Sequence, residues 1–162
     1  MSDRKNMNHL KGAVNAYYMQ GFDLSLSRLL ELQRELQAVI QDTKGDQMPV
    51  EIWRQDNLFT DEEADRLTQC NMMAIEDEIA EMRDAVNWKW WKPKNYNMPL
   101  DRFNIAMEAV DILHFLLNIF NTLGFDGKDV VAMYLAKRDE NMARQRGEGP
   151  HGKEYVTEAD CS

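Results

Sequence analysis

Two carboxylates interrupt the most apolar stretch of this 162-residue sequence, and their chemistry asks first for an explanation. Glu108 and Asp111 lie in RFNIAMEAVDILHFLLNIF, three positions apart, a spacing that puts both on one face of a helix where they can converge on a point. By helical angle Glu108 falls close to Ile112 and Ile119, while Asp111 sits beside Asn118, two turns on. An ionised carboxylate buried without a partner is very expensive. The pair must therefore be neutralised, bridged to Lys or Arg from another helix, or used to hold a cation. Upstream, AIEDEIAEMRD offers Glu78 and Glu81 at the same spacing, with Glu78 on the edge of an apolar stripe. Glu76, Asp77 and Asp84 crowd the same helix, so spacing alone does not single out that pair, and a run of acids is ordinarily a solvated face. Four carboxylates from two facing helices make an oxygen-only ligand set, which suits Mg²⁺ or Mn²⁺. The sulfur and histidine ligands that zinc prefers are missing from it.

A second set lies near the C-terminus, in YLAKRDENMARQR. Lys137, Asn141, Arg144 and Gln145 recur there at four- and three-residue spacing on one face. Two positive charges with an amide between them can grip a polyphosphate; the plainer reading is a basic last turn complementing the helix dipole. Lys89 and Lys92, interleaved with Trp88, Trp90 and Trp91, offer another phosphate contact, or else an amphipathic packing element. Gln33 falls on an apolar stripe seven residues after Leu26, and Gln37 follows Leu30 in the same way. An amide carries donor and acceptor together, so it can read the edge of a pyrimidine base. It can equally cap a backbone group or face a second subunit. Asn118 and His114 invite the same pair of readings.

Four helices position these residues. The first is expected from about Asp23 to Gln41, capped by Asp23 or Ser25, with Leu26, Leu29, Leu30, Leu36 and Ile40 as its apolar stripe. The second starts at Thr60, with Glu63 in capping-box spacing, and runs to about Asn87 with Ile75, Ile79, Met82 and Val86 inward. WKWWKPKNYNMP cannot continue it. The third, about Leu100 to Leu123, is apolar over most of its circumference and stops at Gly124. The fourth runs from Asp126 or Lys128 to Arg146, and residues 147–162 read as a polar tail. Residues 42–56 read as a connection with a turn of helix near Trp53. No β pattern and no internal repeat is present. The expectation is one all-α, four-helix-bundle-like domain over residues 1–162, paired as a homodimer because a helix apolar nearly all round must be covered on most sides.

Composition narrows the class. A formal charge of −9 makes duplex nucleic acid a poor partner, since backbone binding rests on cations meeting phosphates. The nearly apolar run Ile112 to Phe120 is too short for a bilayer span, and the polar N-terminus lacks the apolar core of a secretory signal. Cys70 and Cys161 are too few and too distant for a disulfide framework, which points to a reducing cytoplasm.

The order E-x-x-E, W-K-W-W-K, E-x-x-D-I-L-H-F-L-L-N, then K-x-x-x-N-x-A-R-Q resembles the dimeric all-α dUTPases, in particular their T-even phage branch, within the MazG-like all-α nucleoside triphosphate pyrophosphatases. The resemblance covers roughly Leu26 to Arg146. It implies that Glu78, Glu81, Glu108 and Asp111 are metal ligands and that Mg²⁺ is the cofactor, with Mn²⁺ able to substitute. It implies further that Gln33 recognises the base, that Asn118 lies against the nucleoside, and that Lys137, Asn141 and Arg144 bind phosphates, with Tyr134 beside them. Members hydrolyse dUTP, and some dCTP, to the monophosphate and pyrophosphate, attack at the β-phosphorus being favoured. On this reading Glu78 or Glu81 orients or deprotonates the attacking water, while Lys137 and Arg144 neutralise the leaving pyrophosphate. A chain from a phage would act in the host cytoplasm. Relatives often follow R-Q closely with G-Y, whereas here Gly147 is followed by EGPHGKEY, so Tyr155 takes no role. Other readings stand beside it: the same chemistry restricted to dCTP or a modified pyrimidine, a carboxylate-bridged di-iron protein, or a non-catalytic interaction module. The di-iron site needs two Glu-x-x-His pairs, and here only Asp111 has a histidine, His114, three residues on.

Overall fold

The structure, a computed structural model, describes residues 12, 25–44, 59–86, 88, 89, 91 and 99–147. Four helices fill almost all of them: α1 (Leu26–Lys44), α2 (Asp61–Ala85), α3 (Arg102–Thr122) and α4 (Gly127–Gln145). No strand occurs among the described residues, so the all-α expectation is met. Asp23, the segment around Trp53, Asn87, Trp90, Lys92, Tyr155 and Cys161 lie outside them.

Local chemistry sets the helix ends. At α1, Ser25 is the cap: its Oγ accepts from Arg28 N–H at 3.2 Å and its carbonyl from Leu29 N–H at 3.1 Å. Thr60 and Glu63 form the capping box at α2, with Thr60 N–H donating to Glu63 Oε2 at 2.8 Å. The start of α3 falls two residues later than Leu100, because the Asp101 carboxylate takes the orphan Asn104 N–H at 3.1 Å. Its end is a Schellman turn. Gly124 sits at φ 76°, Gly124 N–H reaches Asn121 O at 3.1 Å, and Phe125 N–H reaches Phe120 O at 3.0 Å. Asp126 then caps α4 by accepting from the backbone of Asp129 and Lys128, and these bonds hold its carboxyl below the usual range.

The central helix is α3: α1 and α2 both pack on it, and α4 packs chiefly on α1. Leu30, Leu117 and Val130 form the innermost apolar cluster, flanked by Leu26, Leu29 and Phe120; Leu67 is buried on α2. Two positions of the expected stripes do not go inward, since Leu36 and Ile79 stay 41% and 42% exposed. On α3, Val110, Leu113 and Leu116 are likewise about two-fifths exposed. By length and composition alone α3 meets the requirement for a bilayer span, which the shorter run Ile112 to Phe120 does not. Within the fold, however, it carries Glu108 and Asp111 mid-helix and hydrogen-bonds through Asn118 and Asn121 to its neighbours, as a bundle's central helix does.

The α1–α4 junction depends on a missing side chain. A Cβ at Gly127 would stand 2.5 Å from Ser27 N and 2.7 Å from Ser27 Cα, backbone atoms that cannot turn aside. Gly127→Ala is expected to lower the free energy of unfolding by about 1–3 kcal/mol through overpacking. Urea titration followed by circular dichroism would read the loss. An unchanged midpoint would mean that α1 and α4 slide apart freely.

Candidate metal and nucleotide site

Packing α2 on α3 brings three acids from two distant segments together. One carboxylate oxygen each from Glu78, Glu81 and Glu108 can be chosen so that all lie within 4.8 Å of one another. Glu78 and Glu108 are half-buried and Glu81 is exposed. Glu76, Asp77 and Asp84, which crowd Glu78 and Glu81 in the sequence, are all exposed and stand outside the group. Asp111 is half-buried one turn further along α3 and is not part of it.

The group fits a hard divalent cation. Oxygen ligands of Mg²⁺ at about 2.1 Å stand roughly 3 to 4 Å apart, so a group already within 4.8 Å needs only small side-chain rotations. Two ionised carboxylates at 4.8 Å repel by about 3.5 kcal/mol at an effective dielectric near 20, and by less where water screens Glu81. A cation between them reverses the sign of that interaction.

Further along the same two helices, amides from α1, α2 and α3 meet. Gln33 is 2% exposed and Asn118 is 4% exposed; Gln33 Nε2 donates to Asn118 Oδ1 at 2.7 Å. Gln33 Oε1 meets His114 Nδ1 at 2.6 Å, and Asn118 Nδ2 donates to Asn71 Oδ1 at 3.1 Å. Asn121, 1% exposed, ties α1 to α3 by donating to Leu30 O at 3.2 Å and accepting from Arg34 at 2.9 Å. The two residues expected to meet a base are thus brought into direct contact with each other. Beyond the bonds to each other, to His114 and to Asn71, each keeps one N–H and one lone pair.

On α4, Lys137, Asn141 and Arg144 share one face with an acid that the sequence reading did not foresee. Glu140 accepts from Lys137 Nζ at 2.7 Å and also pairs with Arg144. Those two bonds, Lys137 first, hold the Glu140 carboxyl below its ordinary range. Tyr134, Lys137, Asn141 and Gln145 line an open depression of about 240 Å³, joined by Arg138 and Met142. Lys89 lies 4.4 Å from the centre of the Trp88 ring, and Trp88 stands edge-on to Trp91 at 5.8 Å. Trp88 and Trp91 stay 43% and 56% exposed.

Asn71, Asn121, Arg34, Arg138 and Glu140 were not singled out by sequence reasoning. A signal existed for two of them. Asn121 breaks an apolar helix one turn after Asn118, and Glu140 lies three residues after Lys137 and four before Arg144.

Comparison with known proteins bears on the same segments. The sequence model of the family described as dUTPase matches residues 25–123, a stretch holding α1 to α3, all four acids, Gln33 and Asn118 but not the α4 face. A dCTP pyrophosphatase of Enterobacteria phage LZ5 is 28% identical over 141 residues, covering 74% of this chain and 80% of that protein. A dCTP pyrophosphatase of Enterobacteria phage T4 is 30% identical over 115 residues, covering 64% and 63%. No solved structure matches significantly.

Proposed function

The chain belongs to the dUTPase family, and from that premise we propose that it hydrolyses a pyrimidine deoxynucleoside triphosphate, dUTP or dCTP, to the monophosphate and pyrophosphate. The observation that carries this is the Glu78, Glu81 and Glu108 group across α2 and α3, inside the segment that the family model matches. The relatives' names favour dCTP among the substrates. A restriction to dCTP or a modified pyrimidine is the second reading.

Glu78, Glu81 and Glu108, with Asp111 as fourth ligand, would hold Mg²⁺ or Mn²⁺. When bound, the metal supplies Lewis acidity to the phosphate chain and lowers the pKa of coordinated water. Glu81, the exposed member of the group, would take a proton from an attacking water, with Glu78 as the alternative base. Lys137, Asn141 and Arg144 bind the polyphosphate and neutralise the leaving pyrophosphate; Lys89 adds a further contact once it leaves the Trp88 ring. Gln33 and Asn118 present their remaining amide valences to the base.

A pyrophosphate-release assay with purified protein, dUTP and dCTP, with and without Mg²⁺, tests the reading. Metal-dependent pyrophosphate from at least one of the two is expected. Release of orthophosphate only, or no product from either, would overturn it. Iron bound after aerobic purification would favour the di-iron alternative instead.

The same proposal includes a homodimer in the cytoplasm, the host's where the chain is phage-encoded. Val110, Leu113 and Leu116 on α3 stay exposed, as do Met72 and Met73 on α2, at 53% and 68%, and a second copy is the occupant assigned to these apolar side chains. Light scattering is expected to give twice the 18.9 kDa chain mass, and Leu113→Asp to shift it toward one. A monomeric wild type would remove the dimer from the proposal.

A further inference from the structure

The amide chain between α1, α2 and α3 has a direction, and one backbone carbonyl sets it. Leu67 O can only accept, so the Asn71 atom 2.8 Å away is Nδ2, and Asn71 Oδ1 is left to face Asn118. An amide oxygen accepts, so Asn118 meets it with Nδ2 at 3.1 Å. Asn118 Oδ1 then takes Gln33 Nε2 at 2.7 Å. Gln33 Oε1 is thereby turned on His114 Nδ1 at 2.6 Å, and since Oε1 accepts, Nδ1 carries the proton. No link inverts alone, because a single flipped amide sets two NH₂ groups or two carbonyls face to face in a buried site.

We infer that Asn71 is a positioning residue of the nucleotide site: it locks Gln33 and Asn118 in one amide orientation and His114 as its Nδ1–H tautomer, leaving Nε2 as an acceptor. The functional half of this rests on the assignment of Gln33 and Asn118 to the base. Without Asn71 the other three groups can reverse as a unit with no bond lost. Asn118 Nδ2 then donates to Gln33 Oε1, and Gln33 Nε2 donates to an unprotonated Nδ1. A neutral imidazole in water favours Nε2–H, so reversal runs downhill. Only the forward fraction f presents the native donor and acceptor pattern, and apparent affinity falls by that fraction.

Nitrogen-15 correlation spectra of His114 in the full chain, without nucleotide and at a pH where the ring is neutral, read the tautomer. Wild type is expected to be Nδ1–H. Asn71→Leu is expected to show Nε2–H, with KM raised by 1/f, on the order of tenfold if nine molecules in ten reverse, and kcat within about twofold. Asn71→Asp keeps an acceptor toward Asn118 while its second oxygen loses the bond to Leu67 O, so it is expected to retain Nδ1–H and a near-native KM at reduced stability. Asn71→Ala serves as a second unlocking variant should the leucine chain fail to fold. An Nε2–H wild type, an unchanged tautomer in the unlocked variant, or a reversal without a change in KM would each overturn the inference. The tautomer reading needs no substrate. Its failure leaves the proposed activity intact, and an inactive wild type with Nδ1–H would overturn the activity alone.

Discussion

Glu108→Gln is expected to reduce pyrophosphate release from the preferred deoxynucleotide by about a thousandfold, equivalent to about 4 kcal/mol of transition-state stabilisation, with helical content unchanged. The amide is nearly isosteric with the carboxylate but neutral, so shape and packing in α3 are kept while a hard-cation ligand is lost. Glu108 is half-buried and faces Glu78 and Glu81 across the α2–α3 interface, all three offering oxygens within 4.8 Å. Because the amide keeps the size and shape of the side chain, the metal-free variant is expected to unfold close to wild type. Added Mg²⁺ is expected to raise the melting temperature of wild type by mass action and to leave Glu108→Gln almost where it was. A lost metal response with the metal-free fold kept separates a lost ligand from a damaged fold. Glu81→Gln belongs to the same experiment and is expected to lose activity comparably. Near-normal rates in both variants would remove the acid group from the mechanism, whatever the family.

How far the residues themselves disclosed this arrangement depends on the range of the interaction. Caps are local, and Thr60 with Glu63 and the stop at Gly124 stand in the structure as read from the sequence; Asp126 was one of two expected starts, and Ser25 one of two expected caps. Glu108 was legible as an anomaly, a charge in an apolar helix. Glu78 and Glu81 were not, because Glu76, Asp77 and Asp84 share their helix; family resemblance singled the pair out. Only the packing of α2 on α3 turns Glu78 toward Glu108 and leaves those three neighbours exposed. The Gln33–Asn118 bond spans 85 residues, and two polar residues on two apolar stripes do not say which partner each will find. Asn71 carried no signal at all, standing in a stretch that reads as ordinary helix surface. Its meaning comes from the Leu67 carbonyl and from Asn118 arriving on another helix. Leu36 and Ile79 show the reverse limit. Periodicity placed them inward, but a stripe records apolar character and not which surface covers it.

Arg144→Ala is expected to lower kcat/KM by about a hundredfold, near 2.7 kcal/mol, and Lys137→Ala by about tenfold. The order follows from solvation. The Arg144 side chain is 22% exposed against 62% for Lys137, so its charge is screened less and its planar fork is already fixed in place. Glu140 supplies the opposite sign. Lys137 and Arg144 keep its carboxyl below the usual range, so at neutral pH it is ionised and occupies the cations that a polyphosphate needs. Glu140→Gln is therefore expected to strengthen inhibition by pyrophosphate several-fold, since the competing anion has gone while both donors remain. Lys128→Ala, at the other end of α4, is the control for a general field effect and is expected to change little, because exposed charges beyond about 10 Å are screened at ordinary ionic strength. If Lys128→Ala weakens the enzyme as much as Arg144→Ala, the α4 face acts only through net charge. If Glu140→Gln weakens pyrophosphate inhibition, Glu140 orients the two cations rather than competing for them.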